Sequence, residues 1–201
     1  MDSVFTLPYS EFAIAELFIS SFKTSDGYSV FVPASRTEKG VDLVLTRRSE
    51  GVTKVVTFQI KSSRTYAGTV PKRKVKQRRY QHYTWLNSFA VPEQADFVVL
   101  FGLYPPDERA GHKTDRSWWQ SHVLVFSHKE AAALLSKVKT RGGKPDRMFG
   151  FGFDSSDQAY LTRGSETGEH VDYSAHVFPR QIGHIRQALG DDHGKDHLLT
   201  S

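Results

Sequence analysis

The sequence predicts an α/β or α+β domain in which a mixed β-sheet core is flanked by helices. Three observations favour this class: an apolar helix pattern comes first, three strand patterns follow it, and a long apolar strand pattern lies at 95–103. Helix and strand patterns that mix along one chain are typical of sheets with helices packed on their faces. We therefore expect a single domain over residues 1–190 and a flexible tail over 191–201.

The first predicted element is a helix from Ser10 to Phe22, with Ser10 as its N-cap. Apolar side chains surround this helix almost completely, a pattern typical of a buried helix. Three strand patterns follow, at 28–32, 41–46 and 53–60. The last two are separated by a short turn sequence, so we expect them to form a hairpin.

The second half of the chain carries weaker patterns. Residues 80–89 read as an aromatic strand or a short helix, because periodicity does not distinguish the two. A strand at 121–126 precedes a helix that begins at Ser127, with Glu130 completing a capping box. Beyond a break at 141–145, the remaining predictions are strands at 148–153, 159–162 and 171–177 and a helix at 178–189.

Composition excludes several classes of protein. The chain has no cysteine, which excludes disulfides, zinc–thiolate sites and cysteine nucleophiles. Hydrophobic residues make up 38% of it, enough for a packed core. No apolar run reaches membrane-spanning length, and no signal-peptide pattern is present. We expect a soluble, cytoplasmic protein with no membrane partner.

Positive charge is concentrated in one part of the chain. Residues 51–92 contain nine Lys or Arg and no Asp or Glu, whereas the whole chain has a net charge of +5. A polyanion is the simplest partner for such a segment, although a solvated basic loop is the alternative. The candidates for phosphate contact within the basic segment 61–79 are Arg64, Lys72, Arg73, Lys74, Lys76, Arg78 and Arg79.

Polar residues interrupt the predicted strands of the hairpin. Asp42 follows Gly40 at the start of one strand, although Asp is disfavoured within strands. Strand alternation puts Gln59 and Lys61 on one face of the next strand. Each position alone has an ordinary explanation, since Asp is common in turns and a strand-end lysine is usually solvated.

Two carboxylates on the first helix are further candidates. Glu16 lies among apolar neighbours, where a carboxylate must be paired, protonated or bound to a metal. It would be an ordinary surface residue if the helix exposes a narrow edge there. Glu11 is the competing candidate on the same helix.

Together, the helix with Glu16, the segment Gly40-Val41-Asp42 and the segment Gln59-Ile60-Lys61-Ser62 resemble the PD-(D/E)XK nuclease superfamily, which has the restriction-endonuclease-like fold. The resemblance covers residues 10–64. It implies that Asp42 is the first metal carboxylate and that Lys61 is the family's lysine. Gln59 occupies the position of the family's second acidic residue, as in Mrr-like members, and Glu16 corresponds to the helix glutamate of several branches.

The resemblance implies a Mg²⁺-dependent DNA endonuclease of the restriction or defence type, with Mn²⁺ as a substitute ion. Asp42, Gln59 and the Ile60 carbonyl would hold the ion, with Glu16 acting directly or through water. The ion would polarise the phosphate and lower the pKa of a bound water, while Lys61 orients that water or balances charge. In addition, Ser62 and Ser63 could donate hydrogen bonds to a phosphate oxygen.

The sequence allows two alternative functions. Because Gln59 is neutral, the chain could instead be a non-catalytic nucleic-acid-binding module on the same fold. An RNA-directed nuclease is the third reading. The partner is expected to be DNA, and a homodimer is favoured because cutting both strands of a duplex usually requires two active sites.

Overall fold

A computed structural model describes residues 9–33, 40–63, 80, 82–104, 120–155 and 157–191. The mixed α/β class is confirmed. In chain order the elements are α1 (Tyr9–Ser21), β1 (Tyr28–Phe31), β2 (Leu43–Ser49), β3 (Val52–Ser62), β4 (His82–Asn87), β5 (Phe97–Tyr104), β6 (Gln120–Ser127), α2 (His128–Ser136), β7 (Met148–Ser155), β8 (Gln158–Arg163), β9 (Val171–Asp172) and α3 (Phe178–Ala188). Among these residues, no helix is long and apolar enough to cross a membrane.

The strands form two sheets. The first has the order β1-β2-β3-β5-β6, in which β3 and β5 are parallel and the other pairs are antiparallel. The second is antiparallel, with the order β4-β7-β8-β9. A two-residue turn joins β2 to β3, and both of its residues, Glu50 and Gly51, have positive φ, as a tight hairpin turn requires. This turn sets the register in which Leu43 lies opposite Phe58.

Two apolar cores lie on opposite faces of the five-stranded sheet. On one face, α1 packs on β1 and β3 and α3 packs on β6, and the rings of Phe58 and Phe178 both contact the ring of Phe18. On the other face, Val98 and Phe126 belong to a core shared with α2 and the second sheet. The alternation of β3 and β5 thus gives three layers: helices, the five-stranded sheet, and the second sheet with α2.

The predicted burial of α1 on all sides is wrong. The helix begins at Tyr9, so Ser10 lies inside it rather than at its N-cap. Ile14 and Phe18 are fully buried, whereas Phe12 and Ile19 are 59% and 61% exposed. The helix packs on one face of the sheet only, so its apolar character exceeds what that face can cover.

Elsewhere the structure decides several open questions. The predicted capping box is confirmed, because Ser127 and Glu130 hydrogen-bond each other's backbone N–H groups. The segment 80–89 contains a strand, β4. Only two residues of the predicted strand 171–177 pair as β9, and a 3₁₀ turn, Ser174–His176, follows them.

The predicted tail does not begin at residue 191. The hydroxyl of Tyr28 hydrogen-bonds the Asp191 carboxylate, and Arg47 forms an ion pair of 3.3 Å with the same group. Arg47 also donates to the carbonyl of Gly190 at 2.8 Å, where α3 ends. These contacts fix the end of α3 against β1 and β2, and residues 192–201 lie outside the described part of the chain.

Candidate active site at the end of β3

Asp42 lies against the end of β3. Its Oδ2 accepts the backbone N–H of Ile60 at 2.6 Å and the side-chain N–H of Gln59 at 3.2 Å. The backbone N–H of Asp42 donates to the Phe58 carbonyl at 2.8 Å. The Asp42 carboxylate thus accepts the Ile60 N–H that the carbonyl of a paired strand would otherwise accept. Asp42 and Gln59 are 17 residues apart in the sequence, so this contact joins two separate segments.

Gln59 holds this arrangement together as a donor. It is only 6% exposed, so its amide must be hydrogen-bonded to avoid a desolvation penalty. Because the amide nitrogen faces the Asp42 carboxylate, the amide oxygen Oε1 is left as the acceptor end of Gln59. A carboxylate at position 59 would instead place two negative charges against each other. The neutral Gln59 side chain therefore orients the Asp42 carboxylate without adding a second negative charge beside it.

The oxygen atoms of this group suit a hard cation. In a strand, the N–H and C=O groups of one residue point to the same edge, so the Ile60 carbonyl faces the side on which Asp42 lies. The donor set is then a carboxylate, the Gln59 amide oxygen and a backbone carbonyl. Mg²⁺ is held through one or two carboxylates while water and phosphate complete its shell, so the chemistry of these donors fits it.

The site carries little negative charge for a metal centre. Within the described residues, no group of three His, Cys, Asp or Glu side chains is positioned to hold a metal ion. Asp42 is the one carboxylate in the donor set formed with Gln59 and Ile60. A bound cation would therefore rely on water and substrate phosphate for the rest of its coordination.

Lys61 lies on the same face of β3 as Gln59. Its ammonium group is 5.4 Å from the centre of the Phe89 ring, a cation–π distance. Phe89 itself is half-buried against the core of the second layer. The ring therefore gives the flexible lysine a preferred direction at the end of the strand, beside the Asp42–Gln59 group.

Residues 88–96, the β4–β5 loop, cover this end of the sheet. Gly40 has a φ of +102°, and a Cβ atom there would lie 2.4 Å from the Cβ of Pro92. Thr57 in mid-strand donates its hydroxyl to the Gln94 carbonyl at 2.5 Å and its backbone N–H to Asp96 at 2.8 Å. The loop is thus hydrogen-bonded to β3 at Thr57 and passes close to Gly40, two residues before Asp42. Glycine is needed at position 40 because the loop leaves no room for a Cβ atom there.

The structure does not bring Glu16 to this group. Ile14 and Phe18 point to the sheet, and at 100° per residue Glu16 lies on the far side of the helix, where it is exposed. Glu11 is half-buried and lies three and seven residues before Ile14 and Phe18, on the side that faces the sheet.

The direction of α1 also favours Glu11. The ring of Phe22 packs on Tyr28 at the start of β1, and the ring of Phe18 packs on Phe58, which lies opposite the first residue of β2. The N-terminal end of the helix therefore points toward Asp42. At a rise of about 1.5 Å per residue, Glu11 lies roughly 10 Å beyond Phe18 in that direction.

The predicted nucleic-acid contacts are placed only in part. Ser62 is exposed at the end of β3. Ser63 donates its N–H to the Phe101 carbonyl at 2.9 Å, which continues the pairing of β3 with β5. The other seven candidates, Arg64, Lys72, Arg73, Lys74, Lys76, Arg78 and Arg79, lie outside the described residues.

Sequence reasoning missed the β4–β5 loop and the role of Phe89. The sequence of the loop contained two local signals: Pro92, a residue typical of loops, and Asp96, at the start of a buried strand. Neither signal indicates which distant residues the loop would contact. In comparisons with known proteins, no family model, no curated protein and no solved structure matches this chain at a significant level.

Proposed function

We propose that this protein is a Mg²⁺-dependent DNA endonuclease of the restriction or defence type, with its active site at the end of β3. The observation that carries the proposal is the hydrogen-bonded contact of Asp42 with Gln59 and Ile60, beside Lys61. It joins two of the three segments on which the resemblance to PD-(D/E)XK nucleases rests, Gly40-Val41-Asp42 and Gln59-Ile60-Lys61-Ser62.

The roles follow from the position of each group. Asp42, the Gln59 amide oxygen and the Ile60 carbonyl would hold Mg²⁺, which when bound supplies Lewis-acid activation of the phosphate and of a water. Lys61, directed by Phe89, would balance negative charge on the phosphate as it develops. Glu11 replaces Glu16 as the proposed helix carboxylate, because it faces the sheet at the same end. Since α1 packs on the face of β3 that carries Phe58 and Ile60, opposite Gln59 and Lys61, Glu11 would act around the end of the sheet, through water.

A non-catalytic DNA-binding module is the second candidate function. It is favoured by the internal pairing of Gln59 with Asp42, which satisfies the carboxylate without an ion. In that case Lys61 would contribute a phosphate contact and the Asp42 group would be a structural lock. The two candidates predict different results when a divalent ion is added: the endonuclease would cleave DNA, and the binding module would only bind it.

The test is cleavage of supercoiled plasmid by the purified protein in Mg²⁺, Mn²⁺ or EDTA. Asp42→Asn is the informative variant, because the amide oxygen can still accept the Ile60 N–H while the charge is removed. Asp96→Asn is its matched control, since Asp96 also caps a β3 N–H, that of Thr57, but on the opposite edge. Metal-dependent nicking lost in Asp42→Asn and retained in Asp96→Asn supports the endonuclease.

Two other outcomes would redirect the proposal. Plasmid that stays intact with all ions while salt-sensitive DNA binding persists would favour the binding module. Cleavage of a labelled RNA but not of DNA, with the same dependence on Asp42, would assign the site to RNA.

A further inference from the structure

The segment 137–147 forms an exposed turn that is rich in cations. Val138 anchors it in the core, the backbone N–H of Thr140 donates to the Lys144 carbonyl at 2.8 Å, and Gly143 allows the reversal with a φ of +76°. We call residues 137–147 the basic turn. It contains five Lys or Arg and a single acidic residue, Asp146.

Ion pairs inside the protein neutralise only part of this charge. Asp146 accepts two hydrogen bonds of 3.0 Å from Arg163, so it does not offset the cations of the basic turn. Lys139 pairs with Glu166 at 3.0 Å. The other four cations of the turn are exposed, and none of them forms an ion pair within the described residues: Lys137, Arg141, Lys144 and Arg147.

The basic turn adjoins the candidate active site. The carbonyl of Arg147 accepts the backbone N–H of Ser88 at 2.8 Å, where the β4–β5 loop begins. The next residue, Phe89, lies under the Lys61 ammonium. Only Ser88 and Phe89 therefore separate the backbone of the turn from the lysine of the site.

We propose that the basic turn is a DNA-backbone-binding surface that continues the active site. The inference rests on the proposed function in taking DNA as the ligand. A duplex with one phosphate at Lys61 presents further phosphates along the same direction, with one per about 3.4 Å of axial rise on each strand. Arg147 adjoins Ser88 next to Phe89, and the other three exposed cations follow on the same turn, so the basic turn can supply further phosphate contacts. Contacts of this kind give affinity and register rather than sequence choice.

The test measures the salt dependence of binding to a short labelled DNA duplex in EDTA, with all proteins in an Asp42→Ala background. One variant carries Lys137→Gln, Arg141→Gln, Lys144→Gln and Arg147→Gln. Its matched control carries four exposed cations from elsewhere, again two Lys and two Arg: Lys23→Gln, Arg48→Gln, Lys129→Gln and Arg180→Gln. Both variants have the same net charge, and melting curves show whether each is folded.

We expect the slope of log Kd against log salt to decrease by about 3 to 4 in the turn variant, since each lost phosphate contact removes roughly 0.9. The control should lose less than about 1. Equal slopes in the two variants would overturn the inference. It would also be overturned if the protein bound an RNA duplex more tightly than DNA and the turn variant lost the same slope on RNA.

The two proposals fail separately. If the wild-type protein does not cleave DNA but the turn variant has a smaller salt slope than the control variant, the DNA-binding surface is supported and the endonuclease function is not. If the wild-type protein cleaves and the slopes of the two variants are equal, the nuclease stands and the surface does not.

Discussion

The carboxylate of Asp42 accepts the backbone N–H of Ile60 at 2.6 Å. The candidate metal ligand is therefore also part of the sheet, and its two roles must be separated before loss of activity can be interpreted. Removing the side chain leaves the N–H of Ile60 without its acceptor, whereas removing only the charge preserves the bond.

We therefore predict different effects for Asp42→Ala and Asp42→Asn. Both should reduce Mg²⁺-dependent cleavage on the order of 100-fold or more, because a metal ligand stabilises the transition state by several kcal/mol. Only Asp42→Ala should also lower the free energy of unfolding, by about 1–2 kcal/mol, the cost of an unsatisfied N–H. Plasmid cleavage and urea denaturation measure the two effects, and an Asp42→Asn variant that cleaves normally would contradict the assigned role.

Gln59 gives a second prediction, through the charge that it lacks. In Gln59→Glu, two carboxylates would lie within hydrogen-bonding distance, and their repulsion should lower the melting temperature in EDTA. Mg²⁺ should reverse this, so the increase in melting temperature on adding Mg²⁺ should be larger than in the wild type. Gln59→Leu should show no such increase. Equal responses in Gln59→Glu and the wild type would mean that the ion does not bind between these residues.

Glu11 and Glu16 provide a matched pair on one helix. We expect Glu11→Gln to reduce metal-dependent cleavage about 10- to 100-fold, as loss of a group that orients metal ligands usually does. Glu16→Gln should change cleavage less than about twofold, because Glu16 is exposed on the opposite side of α1. Steady-state cleavage rates at several Mg²⁺ concentrations test both. If Glu16→Gln lost activity and Glu11→Gln did not, Glu16 would be the helix carboxylate and the orientation inferred for α1 would be wrong.

The sequence was sufficient to predict the contact between the two strand segments. Alternation in β3 puts Gln59 and Lys61 on one face, and the turn at Glu50-Gly51 allows one register that brings Asp42 beside them. Both signals are local, because the hairpin spans only twenty residues. Local patterns of this kind are what sequence reasoning detects best.

Contacts between layers could not be predicted in the same way. A helix that is apolar on all sides, as α1 is, does not indicate which side meets the sheet, so the pattern could not test the choice of Glu16 over its competitor Glu11. The position of Phe89 under Lys61 depends on how the second sheet packs on the first. Neither contact leaves a periodic signal in the chain.

The end of α3 gives a prediction about stability. Asp191 and Arg47 form a largely buried ion pair, with side chains 10% and 13% exposed, that also includes the hydroxyl of Tyr28. Asp191→Ala would leave the Arg47 charge uncompensated, and we expect the free energy of unfolding to decrease by about 3 kcal/mol. Asp157→Ala is the control, since Asp157 pairs with Arg180 in an exposed contact of 3.9 Å worth about 0–1 kcal/mol. Urea denaturation distinguishes them, and equal losses would contradict the role assigned to Asp191.

Buried histidines in the second layer lead us to predict that the protein loses stability in acid. His122 on β6 is 7% exposed, its ring stacks on Phe153 at 4.3 Å, and its Nε2 lies 2.9 Å from Nδ1 of His82 on β4. Burial, followed by the neighbouring His82, lowers the pKa of His122 to about 4 from its ordinary 6.5. Burial also lowers the pKa of His176, in the same core region.

The sign of the effect follows from these pKa values. Well above pH 6.5, His122 is neutral in both the folded and the unfolded protein and does not alter stability. Between pH 6.5 and 4 the unfolded chain takes up a proton that the folded protein does not, so the free energy of unfolding decreases. The full loss is about 3 kcal/mol, at 1.36 kcal/mol per pKa unit. His122→Phe keeps the stacked ring and removes the proton site, so between pH 7 and 4 it should lose less stability than the wild type, although His176 still contributes. Parallel pH profiles of the two proteins in urea would show that His122 does not control acid stability.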